Sequence, residues 1–495
     1  MTVREILTGV PLQPELPDAL AGKRVAGLEY DSRKVEKDFL FFAFPGDRTD
    51  GRLFAQSAVE HGAVAVVSET PPPTDFRGDW LQVPHGRKAL AKAARNFYGN
   101  PDSRLSLTGI TGTNGKTTTS YLIDSVLQTA GHKTALIGTI GFHVAGQTRK
   151  AVNTTPESLD LYRLFSELER AGGSAVTMEV SSHALALGRV AGVHFHTAVF
   201  TNLTRDHLDF HHTMEDYFAA KQLLFTPSEG DPPDFVVVNQ DDEYGRRLRT
   251  APGTQVLSIG AGAGVSVRAG NVHTSFEGLR FDIEASGKTH TISSPLLAHI
   301  NVYNILAACA TALTYQIDME TIVSGVAACR AVPGRFEPVT EGQPFLVVVD
   351  YAHTDDALRN AIASARALKP KRVITLFGCG GDRDRSKRPL MGKAAAEFSD
   401  FVVLTSDNPR SEDPLDIMND ALVGICRHDT PYLIERDRER AIQLAIEQAE
   451  PGDIVLLAGK GHEDYQVLKD GKIHFDDREV ARKVLRGIGY KKGRQ

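Results

Sequence analysis

The chain has 495 residues, of which 41% are hydrophobic and 24% charged, and its formal net charge is −6. At roughly 150 residues a domain, this length predicts about three domains of ordinary globular composition, and the absence of a basic excess disfavours nucleic acid as a partner. No apolar run reaches the roughly 18 residues of a membrane span and the first residues lack a signal-peptide pattern, so we expect a cytoplasmic protein without a membrane anchor.

The first 100 residues or so predict a small α/β domain. Strand-like runs at 38–44 and 63–67 flank a helical segment at 54–62. Between them, the turn PGDRTDG at 45–51 could hold a polar ligand or only reverse the chain, and the sequence alone favours the turn. Asp31-Ser32-Arg33 is equally open between a surface turn and a ligand contact.

A glycine-rich turn between a strand and a helix predicts a phosphate-binding loop. Within LTGITGTNGKTTT, residues 107–119, Gly115, Lys116 and Thr117 match the end of a P-loop. In such a loop backbone N–H groups cradle phosphates, the lysine reaches the β and γ oxygens, and the hydroxyl ligates Mg²⁺. The first glycine of the strict pattern is replaced by Ile110. We therefore expect a variant P-loop that binds a nucleotide.

Strands alternate with helices from about 104 to 330, which predicts a parallel sheet with ligands beyond the carboxyl ends of its strands. Glu179 ends one apolar run, and His207 follows the next. Both are candidates to hold the Mg²⁺ of Thr117, with hydrogen-bonded loop residues as the alternative. Lys221 lies in a largely apolar helical run and by itself predicts only a solvated lysine.

Two further segments complete this part of the chain. Residues 267–294 alternate polar and apolar side chains, which predicts antiparallel hairpins within the same domain. Residues 299–313 predict a helix, and Pro333-Gly334 marks a boundary. The four cysteines stand far apart without a C-x-x-C pair, so we expect reduced, mostly buried thiols and no structural zinc site.

The last 160 residues or so predict a doubly wound parallel sheet. Four apolar runs, each ending in a polar or glycine-rich loop, are separated by helical sequence: 344–354, 372–384, 401–410 and 453–464. Their ends would gather acidic and basic groups on one rim: Asp350, His353, Asp382, Arg383, Asp407, Asn408, Arg410, Gly459, His462 and Glu463. Such a mixed rim suits a zwitterion, so an amino acid fits it better than a second nucleotide.

Seven ordered motifs give the chain a family resemblance: TGTNGKTTT, MEVSSHAL, TNLTRDHLDFH, NVYNILAA, PGRFE, DYAHT and GKGHE. The chain resembles the Mur ligases, from about residue 25 to 485. The resemblance implies three α/β domains: a small UDP-sugar-binding domain (1–100), a central P-loop ATP-binding sheet (101–335) and a Rossmann-like amino-acid domain (336–495). It also implies a monomeric ATP-dependent ligase of peptidoglycan precursor synthesis that uses Mg²⁺ and small-molecule substrates only.

Within that family, the chain looks most like members that add meso-diaminopimelate to UDP-N-acetylmuramoyl-L-alanyl-D-glutamate through an acyl phosphate, releasing ADP and phosphate. The main alternative is a lysine-adding member. A folylpolyglutamate synthase, the D-alanyl-D-alanine-adding Mur enzyme and a P-loop ATPase that consumes no acyl acceptor are further alternatives. The mixed charge of the C-terminal rim argues against the ATPase.

The resemblance implies a role for each matching position. ATP would contact Gly112, Thr113, Asn114, Gly115, Lys116, Thr117, Thr118, Asn301, Asn304, Arg335 and Asp350. The UDP-sugar-peptide would contact Tyr30, Ser32, Asp47, Arg48, Thr49, Asn153, Thr154, Thr155, Ser181, Leu187 and Arg189. Diaminopimelate would contact Arg383, Asp407, Asn408, Pro409, Arg410, Gly459 and Glu463.

The same resemblance implies that five residues serve catalysis: Lys116, Glu179, His207, Lys221 and Arg335. It also implies four metal ligands: Thr117, Glu179, His207 and carbamylated Lys221. Carbamylation would turn Lys221 from a cation into an anionic ligand. Two positions depart from the family pattern: Leu187 replaces a common glutamine, which removes one polar substrate contact, and Asp355 replaces the usual proline. We expect Asp355 to cap a helix.

Overall fold

The computed structural model describes residues 1–46 and 49–491. The chain forms two compact units, one of Met1–Arg268 with Asn304–Gly325 and one of Ala269–Tyr303 with Val326–Gln495. The limits of these units differ from the three predicted ranges, which stay predictions. Within the described residues, no helix is both long and apolar enough to cross a membrane.

The N-terminal part of the first unit has a four-stranded parallel sheet of order β1-β2-β3-β4. Its elements are α1 (Val3–Ile6), α2 (Asp18–Ala21), β1 (Gly27–Glu29), β2 (Phe39–Ala43), α3 (Ala55–Glu60), β3 (Ala65–Ser68), β4 (Trp80–Gln82) and α4 (Gly86–Phe97). The strands and helix expected in 38–67 are confirmed. Asp47 and Arg48, in the predicted turn, lie outside the described residues.

The second sheet of this unit carries the glycine-rich loop at its centre. Its elements are β5 (Ser106–Thr111), α5 (Lys116–Thr129), β6 (Thr134–Ile137), β7 (Phe142–Val144), β8 (Gln147–Arg149), α6 (Ser158–Arg170), β9 (Ala175–Glu179), α7 (Ser182–Ala186), β10 (Thr197–Phe200), α8 (Leu208–His211), α9 (Met214–Gln222), β11 (Phe235–Asn239), α10 (Glu243–Arg247) and β12 (Gln255–Gly260). Strands β12-β11-β10-β5-β9-β6 are parallel neighbours, and β7 and β8 add antiparallel strands beyond β6. Almost all residues of β5, β9, β10 and β11 are buried, as expected of parallel strands that are covered on both faces.

The chain then forms the expected hairpin, the expected helix near 299–313 and a second helix that was not predicted: β13 (Val267–Ser275), β14 (Gly278–Ala285), β15 (Lys288–Ser294), α11 (Ile300–Thr314) and α12 (Met319–Ala328). Strands β14 and β15 are antiparallel, with Leu279 opposite Ser294. Residues Ala269–Tyr303, which the sequence placed with the central domain, group with the second unit.

The second unit contains a six-stranded sheet of order β16-β17-β21-β18-β19-β20, in which only β16 is antiparallel. Its elements are β16 (Glu337–Val339), β17 (Leu346–Asp350), α13 (Asp355–Ala367), β18 (Val373–Phe377), α14 (Lys387–Phe398), β19 (Phe401–Thr405), α15 (Pro414–Ile425), β20 (Tyr432–Glu435), α16 (Arg438–Glu447), β21 (Ile454–Ala458), β22 (Tyr465–Leu468), β23 (Gly471–His474) and α17 (Asp477–Gly487).

Helices cover both faces of this sheet. Leu358 of α13 and Met391 of α14 share one apolar cluster with strand residues, and Ile442 of α16 and Leu485 of α17 share another. The doubly wound sheet is therefore confirmed. One detail is corrected: the N-cap of α13 is Thr354, whose hydroxyl accepts a hydrogen bond from the backbone N–H of Ala357, and Asp355 is the first helical residue. Thr354 takes this place because its backbone is extended, as an N-cap requires.

Candidate functional site

The glycine-rich loop between β5 and α5 has a fixed shape. Gly112 and Gly115 have φ of +148° and +87°, values that glycine adopts without strain. Neither could carry a Cβ, because that atom would lie 1.9 Å from Thr201 Oγ1 at Gly112 and 2.3 Å from Asn304 Oδ1 at Gly115. Asn202 also pins the loop, since its Oδ1 accepts from the Asn114 N–H at 2.9 Å. These contacts fix the shape of the loop at the start of α5, where backbone N–H groups can bind phosphate.

Glu179, at the carboxyl end of β9, is 1% exposed and accepts three hydrogen bonds. Thr117 Oγ1 donates to Glu179 Oε2 at 3.1 Å. Thr139 donates twice, from its N–H to Oε1 at 2.9 Å and from its Oγ1 to Oε2 at 3.1 Å. The P-loop hydroxyl and the strand-end carboxylate are therefore brought together.

Two lysines converge on one backbone carbonyl of the loop. Lys116 Nζ and Lys221 Nζ each donate to the Gly112 carbonyl oxygen at 2.8 Å. Lys221 is 1% exposed, so its interpretation as a solvated lysine is wrong: α9 turns it inward, over the ring of Tyr217. Burial, and secondly the charge of Lys116, hold the pKa of Lys221 well below the ordinary value of a lysine.

The histidines after β10 lie beside this lysine pair. His207 has φ of +51°, and its Nε2 lies 3.4 Å from Asp206 Oδ2. Burial lowers the pKa of His207, which the Asp206 carboxylate opposes, and the charges of His183, Lys116 and Lys221 lower it further. A neutral imidazole in this place can coordinate a metal ion.

The remaining loop residues contribute hydrogen bonds around the start of α5. Thr113 Oγ1 lies 3.2 Å from the Tyr217 hydroxyl, and Thr118 is buried. Asn304 Oδ1 accepts from Thr119 Oγ1 at 3.2 Å. Asn301, which belongs to the second unit, donates to the carbonyl of Leu297.

Predicted contacts of the sugar-peptide occupy the same unit. Thr155 Oγ1 donates to the Glu179 carbonyl at 2.9 Å and accepts from the Ser181 N–H at 3.0 Å. Thr154 lies 3.1 Å from Thr139, hydroxyl to hydroxyl. Arg189 donates to the Thr155 carbonyl at 3.1 Å. Hydrogen bonds thus link these residues to one another and to Glu179.

The other predicted contacts of the sugar-peptide come from several positions between residues 30 and 187. The Tyr30 hydroxyl donates to Asp160 Oδ2 at 2.6 Å, and Ser32 is buried. Thr49 and Asn153 are exposed, and Leu187 is half-buried at the end of α7. Asp47 and Arg48 are outside the described residues.

A buried carboxylate between two arginines was missed by the sequence reasoning. Glu157 Oε1 accepts from Arg189 Nε at 3.0 Å and from Arg87 Nε at 3.3 Å. Arg87 also lies over the ring of Phe44, with its Cζ 4.5 Å from the centroid. No motif pointed to Arg87 or Glu157, because the pair is formed by elements 70 residues apart.

The second unit holds Arg335 and Asp350 together. Asp350 Oδ2 accepts from the Phe336 N–H at 2.8 Å, and Arg335 Cζ lies 5.1 Å from the ring centroid of Tyr351. Burial raises the pKa of Asp350, and the charge of Arg335 opposes this. His462 packs against Tyr351 with ring centroids 4.9 Å apart.

The predicted acceptor rim surrounds a lysine that sequence reasoning also missed. Lys460 is fully buried, with Nζ 3.3 Å from Glu463 Oε2, 3.6 Å from Asp407 Oδ1 and 3.2 Å from Asn408 Oδ1. Gly459 has φ of +113°, and a Cβ there would lie 2.6 Å from Asp407 Oδ2. The position of Lys460 between two glycines at a strand end was the available signal.

Arg410 lies at the edge of this rim with φ of +54°. Its Nη1 donates to the Gly381 carbonyl at 2.6 Å, and its backbone N–H donates to the Val467 carbonyl at 3.0 Å. Pro409 precedes it and brings its carbonyl against Gly381, where a Cβ would lie 1.9 Å from that oxygen. Arg383 is exposed on the neighbouring loop. All seven predicted acceptor residues thus lie on the loops that follow β18, β19 and β21.

Three family descriptions match consecutive parts of the chain: "Mur ligase family, catalytic domain" at 24–98, "Mur ligase middle domain" at 110–312 and "Mur ligase, glutamate ligase domain" at 334–461. A UDP-N-acetylmuramoyl-L-alanyl-D-glutamate–2,6-diaminopimelate ligase from Solibacter usitatus is 65% identical over 490 residues, covering 99% of each chain. The chain belongs to the Mur ligase family.

Other Mur ligases match over most of the chain. A relative of the same name from Geobacillus thermodenitrificans is 47% identical, covering 93% of this chain and 95% of its own. A solved structure with that name has a TM-score of 0.72 at 33% identity and covers 99% of both chains. A MurF ligase structure from Thermotoga maritima in complex with ADP has a TM-score of 0.63 at 18% identity, covering 96% of this chain and 100% of its own, and so shares the fold.

Proposed function

We propose that this Mur ligase is an ATP-dependent ligase that adds meso-diaminopimelate to UDP-N-acetylmuramoyl-L-alanyl-D-glutamate in peptidoglycan precursor synthesis. The observation that carries the proposal is the contact of the P-loop Thr117 hydroxyl with the buried Glu179 carboxylate. It is made in a chain whose relatives, matched over nearly their full length, are named UDP-N-acetylmuramoyl-L-alanyl-D-glutamate–2,6-diaminopimelate ligases. Three domains at 1–100, 101–335 and 336–495 would handle the sugar-peptide, ATP and the amino acid. The matched family ranges support these limits. We further propose a cytoplasmic monomer.

The reaction activates a poor acyl donor. A carboxylate oxygen of the sugar-peptide attacks the γ-phosphorus of ATP, the bond to the β-phosphate oxygen breaks, and ADP leaves. The amine of the acceptor then attacks the acyl carbon, loses a proton, and expels phosphate. Positioning and neutralisation of charge dominate catalysis of phosphoryl transfer. Lys116 would exchange its bonds to the Gly112 and Thr113 carbonyls for phosphate oxygens. Arg335 is the proposed second cation.

The residues around Glu179 fit Mg²⁺. Within residues 1–46 and 49–491, no group of three or more His, Cys, Asp or Glu side chains is arranged so that it could hold a metal ion. Mg²⁺ is usually bound by one or two carboxylates together with substrate phosphates, so the Thr117 hydroxyl and the Glu179 carboxylate suit it. His207 and a modified Lys221 are the other proposed ligands. When bound, the ion would offset the negative charge of the phosphates.

Carbamylation of Lys221 is proposed from the family resemblance and supported by its position. Two ammonium groups on one carbonyl oxygen repel each other, and a buried amine is more stable without its charge. The neutral amine can attack CO₂, forming an N–C bond and releasing a proton.

Labelling with carbon-13 tests the carbamylation of Lys221. With ¹³C-labelled bicarbonate we expect a carbamate signal that is absent from Lys221→Ala. Short carboxylic acids should partly restore the activity of that variant. An unmodified amine at ample bicarbonate would contradict this assignment.

Phosphate release from ATP tests the function directly. We expect rapid release only when UDP-N-acetylmuramoyl-L-alanyl-D-glutamate and meso-diaminopimelate are both present. Comparable release with ATP alone would favour a P-loop ATPase, and equal rates with lysine would favour a lysine-adding enzyme. A product of the expected mass must accompany the phosphate.

A further inference from the structure

Two loops that carry the predicted acceptor residues are bonded to each other. The glycine loop, residues 378–384, follows β18, and the DNPR loop, residues 407–412, follows the adjacent strand β19. The Gly381 N–H donates to the Asn408 carbonyl at 2.9 Å, and Arg410 Nη1 donates back to the Gly381 carbonyl at 2.6 Å. The Ser411 hydroxyl donates to Asp382 Oδ1 at 2.6 Å. A shift of one loop would therefore move the other.

A buried arginine on the first turn of α14 holds both loops. The Arg388 side chain is 2% exposed and forms a fork with Glu412 of the DNPR loop, Nη2 to Oε1 at 2.7 Å and Nη1 to Oε2 at 2.9 Å. Its Nη2 also donates to the Gly380 carbonyl of the glycine loop at 3.3 Å. Glu412 Oε1 in turn accepts from the Asp382 N–H at 2.5 Å. The ion pair of Arg388 and Glu412 thus connects the glycine loop to the DNPR loop.

The helices fix the position of this arginine. Gly392 of α14 and Gly424 of α15 allow a close approach, because a Cβ on either would lie 2.0 Å from a carbonyl oxygen of the other helix region. Asp420 of α15 accepts from Arg388 Nη1 at 2.9 Å. Paired with Arg388, the Glu412 carboxyl has its pKa lowered to about 2, so it stays ionised at neutral pH. Both partners of the fork are therefore charged at neutral pH.

The cost of the arrangement suggests a role beyond stability. Arg388 Nε is buried and has no hydrogen-bond partner within the described residues. Buried ion pairs are often replaceable by apolar residues without loss of stability, so an incompletely satisfied one is a poor stabilising device. Arg410, by contrast, needs support: its φ of +54° is unusual for a residue with a side chain.

We propose that Arg388 is a positioning residue for acceptor selection. By bonding to Gly380 of the glycine loop and to Glu412 of the DNPR loop, it holds the two loops together and so fixes the position of the Arg410 guanidinium. The inference rests on the proposed function, since it takes Arg410 as the cation that recognises the second carboxylate of diaminopimelate. Because the Arg388 side chain is 2% exposed, it would act through the two loops and not by touching the substrate. Its loss would leave the P-loop chemistry intact and reduce the preference for diaminopimelate over lysine.

The test is the ratio of kcat/KM for meso-diaminopimelate to that for lysine. In Arg388→Met we expect the ratio to fall by about a hundredfold, the effect of a misplacement of about 1 Å. The KM for ATP and for the sugar-peptide should stay unchanged. Arg388→Lys, which keeps the charge but loses the fork, should fall between wild type and Arg388→Met. Glu412→Gln should lower the ratio as well, and it provides the test if Arg388→Met does not fold.

Arg372→Met is the matched control. Arg372 pairs with buried Asp453 at 2.7 Å beside the amino ends of β18 and β21, away from the two loops. Its loss should lower the Tm in the same unit without changing the acceptor ratio. A lower Tm with an unchanged ratio in folded Arg388→Met would show a merely structural role and overturn the inference.

A double-mutant cycle separates direct from indirect action. If Arg388 acts through Arg410, then Arg388→Met should change the ratio by less than about twofold in the Arg410→Ala background. Additive effects of the two substitutions would overturn the inference. A wild-type enzyme without preference for diaminopimelate would overturn the proposed acceptor and this inference together, whereas a preference retained in Arg388→Met would overturn this inference alone.

Discussion

Glu179 depends on the small size of a residue that no motif contains. Gly138 follows β6 and faces the carboxylate, so that a Cβ on it would lie 2.3 Å from Glu179 Oε1 and 3.0 Å from its Cδ. The φ of Gly138 is not in the left-handed region, so the requirement is for space. Glycine here lets Thr139 donate to both oxygens of the carboxylate.

Gly138→Ala should therefore displace the Glu179 carboxylate and lower kcat by about a hundredfold, since a shift of about 1 Å in a catalytic group has that effect. Steady-state kinetics of phosphate release would measure it. Gly22→Ala is the control, because a Cβ on Gly22 meets nothing within 4 Å and its φ is −88°. A folded Gly138→Ala enzyme with a wild-type kcat would show that the position of Glu179 does not matter for catalysis.

His462 predicts part of the acid sensitivity of the second unit. Burial, followed by the charges of Arg335 and Arg478, lowers the pKa of His462 to about 4. In the unfolded chain this histidine has an ordinary pKa of about 6.5, so the unfolded chain binds the proton first as the pH falls. Stability is thus lost between pH about 6.5 and about 4, by up to about 2 kcal/mol. In urea unfolding of the second unit, His462→Gln should lose less stability over this window than wild type. Parallel pH curves would contradict the prediction.

At the scale of elements, most of the buried strands and several of the longer helices could be predicted from the sequence. The four apolar runs of the second unit became β17, β18, β19 and β21, because strands buried on both faces read as continuous apolar sequence. The edge strands β16 and β20 were missed. Pro338 interrupts the first, and Tyr432 and Ile434 of the second are exposed, so neither has that signal.

The site was predictable to the extent that its residues belong to local motifs. Lys116, Thr117 and Glu179 follow from a strand, a loop and a strand end, and the structure brings them together. Lys221 is buried by the packing of α9, which its neighbours in sequence do not reveal. The contact of Arg87 with Glu157 and that of Arg388 with Glu412 join distant segments, so only the folded chain shows them.

The start of α13 gives a prediction about one helix. The Thr354 hydroxyl accepts from the Ala357 N–H at 3.2 Å, so Thr354→Ala should cost about 1 kcal/mol. Asp355 is the first helical residue, where proline is well tolerated, so Asp355→Pro should leave stability unchanged or slightly raised. Urea unfolding of both variants measures the difference. A larger loss in Asp355→Pro than in Thr354→Ala would mean that Asp355 is the true cap.

At the scale of the whole molecule, the choice of acceptor decides the product, because ATP and the sugar-peptide are common to several Mur ligases. The seven predicted acceptor residues include two cations, Arg410 and Arg383, and two carboxylates, Asp407 and Glu463, and the buried Lys460 adds a third cation. Lys460 is already bonded to both carboxylates, to Asn408 and to the Tyr465 carbonyl. Arg410, whose Nη1 is bonded to backbone carbonyls, is the cation placed to meet a substrate carboxylate.

Meso-diaminopimelate differs from lysine chiefly by a second amino-acid head, whose carboxylate would pair with Arg410. A site built around that pair rejects the molecule that lacks one carboxylate, by about a thousandfold, because the arginine would be left unpaired. Arg410→Ala should therefore lose most of the preference for diaminopimelate, mainly through a higher KM for it, while the KM for ATP stays unchanged. Competition between the two amino acids, with the products separated by mass, measures the preference. If Arg410→Ala kept the wild-type preference, the second carboxylate would have to be recognised elsewhere, and Arg383 on the adjoining loop would be the residue to replace next.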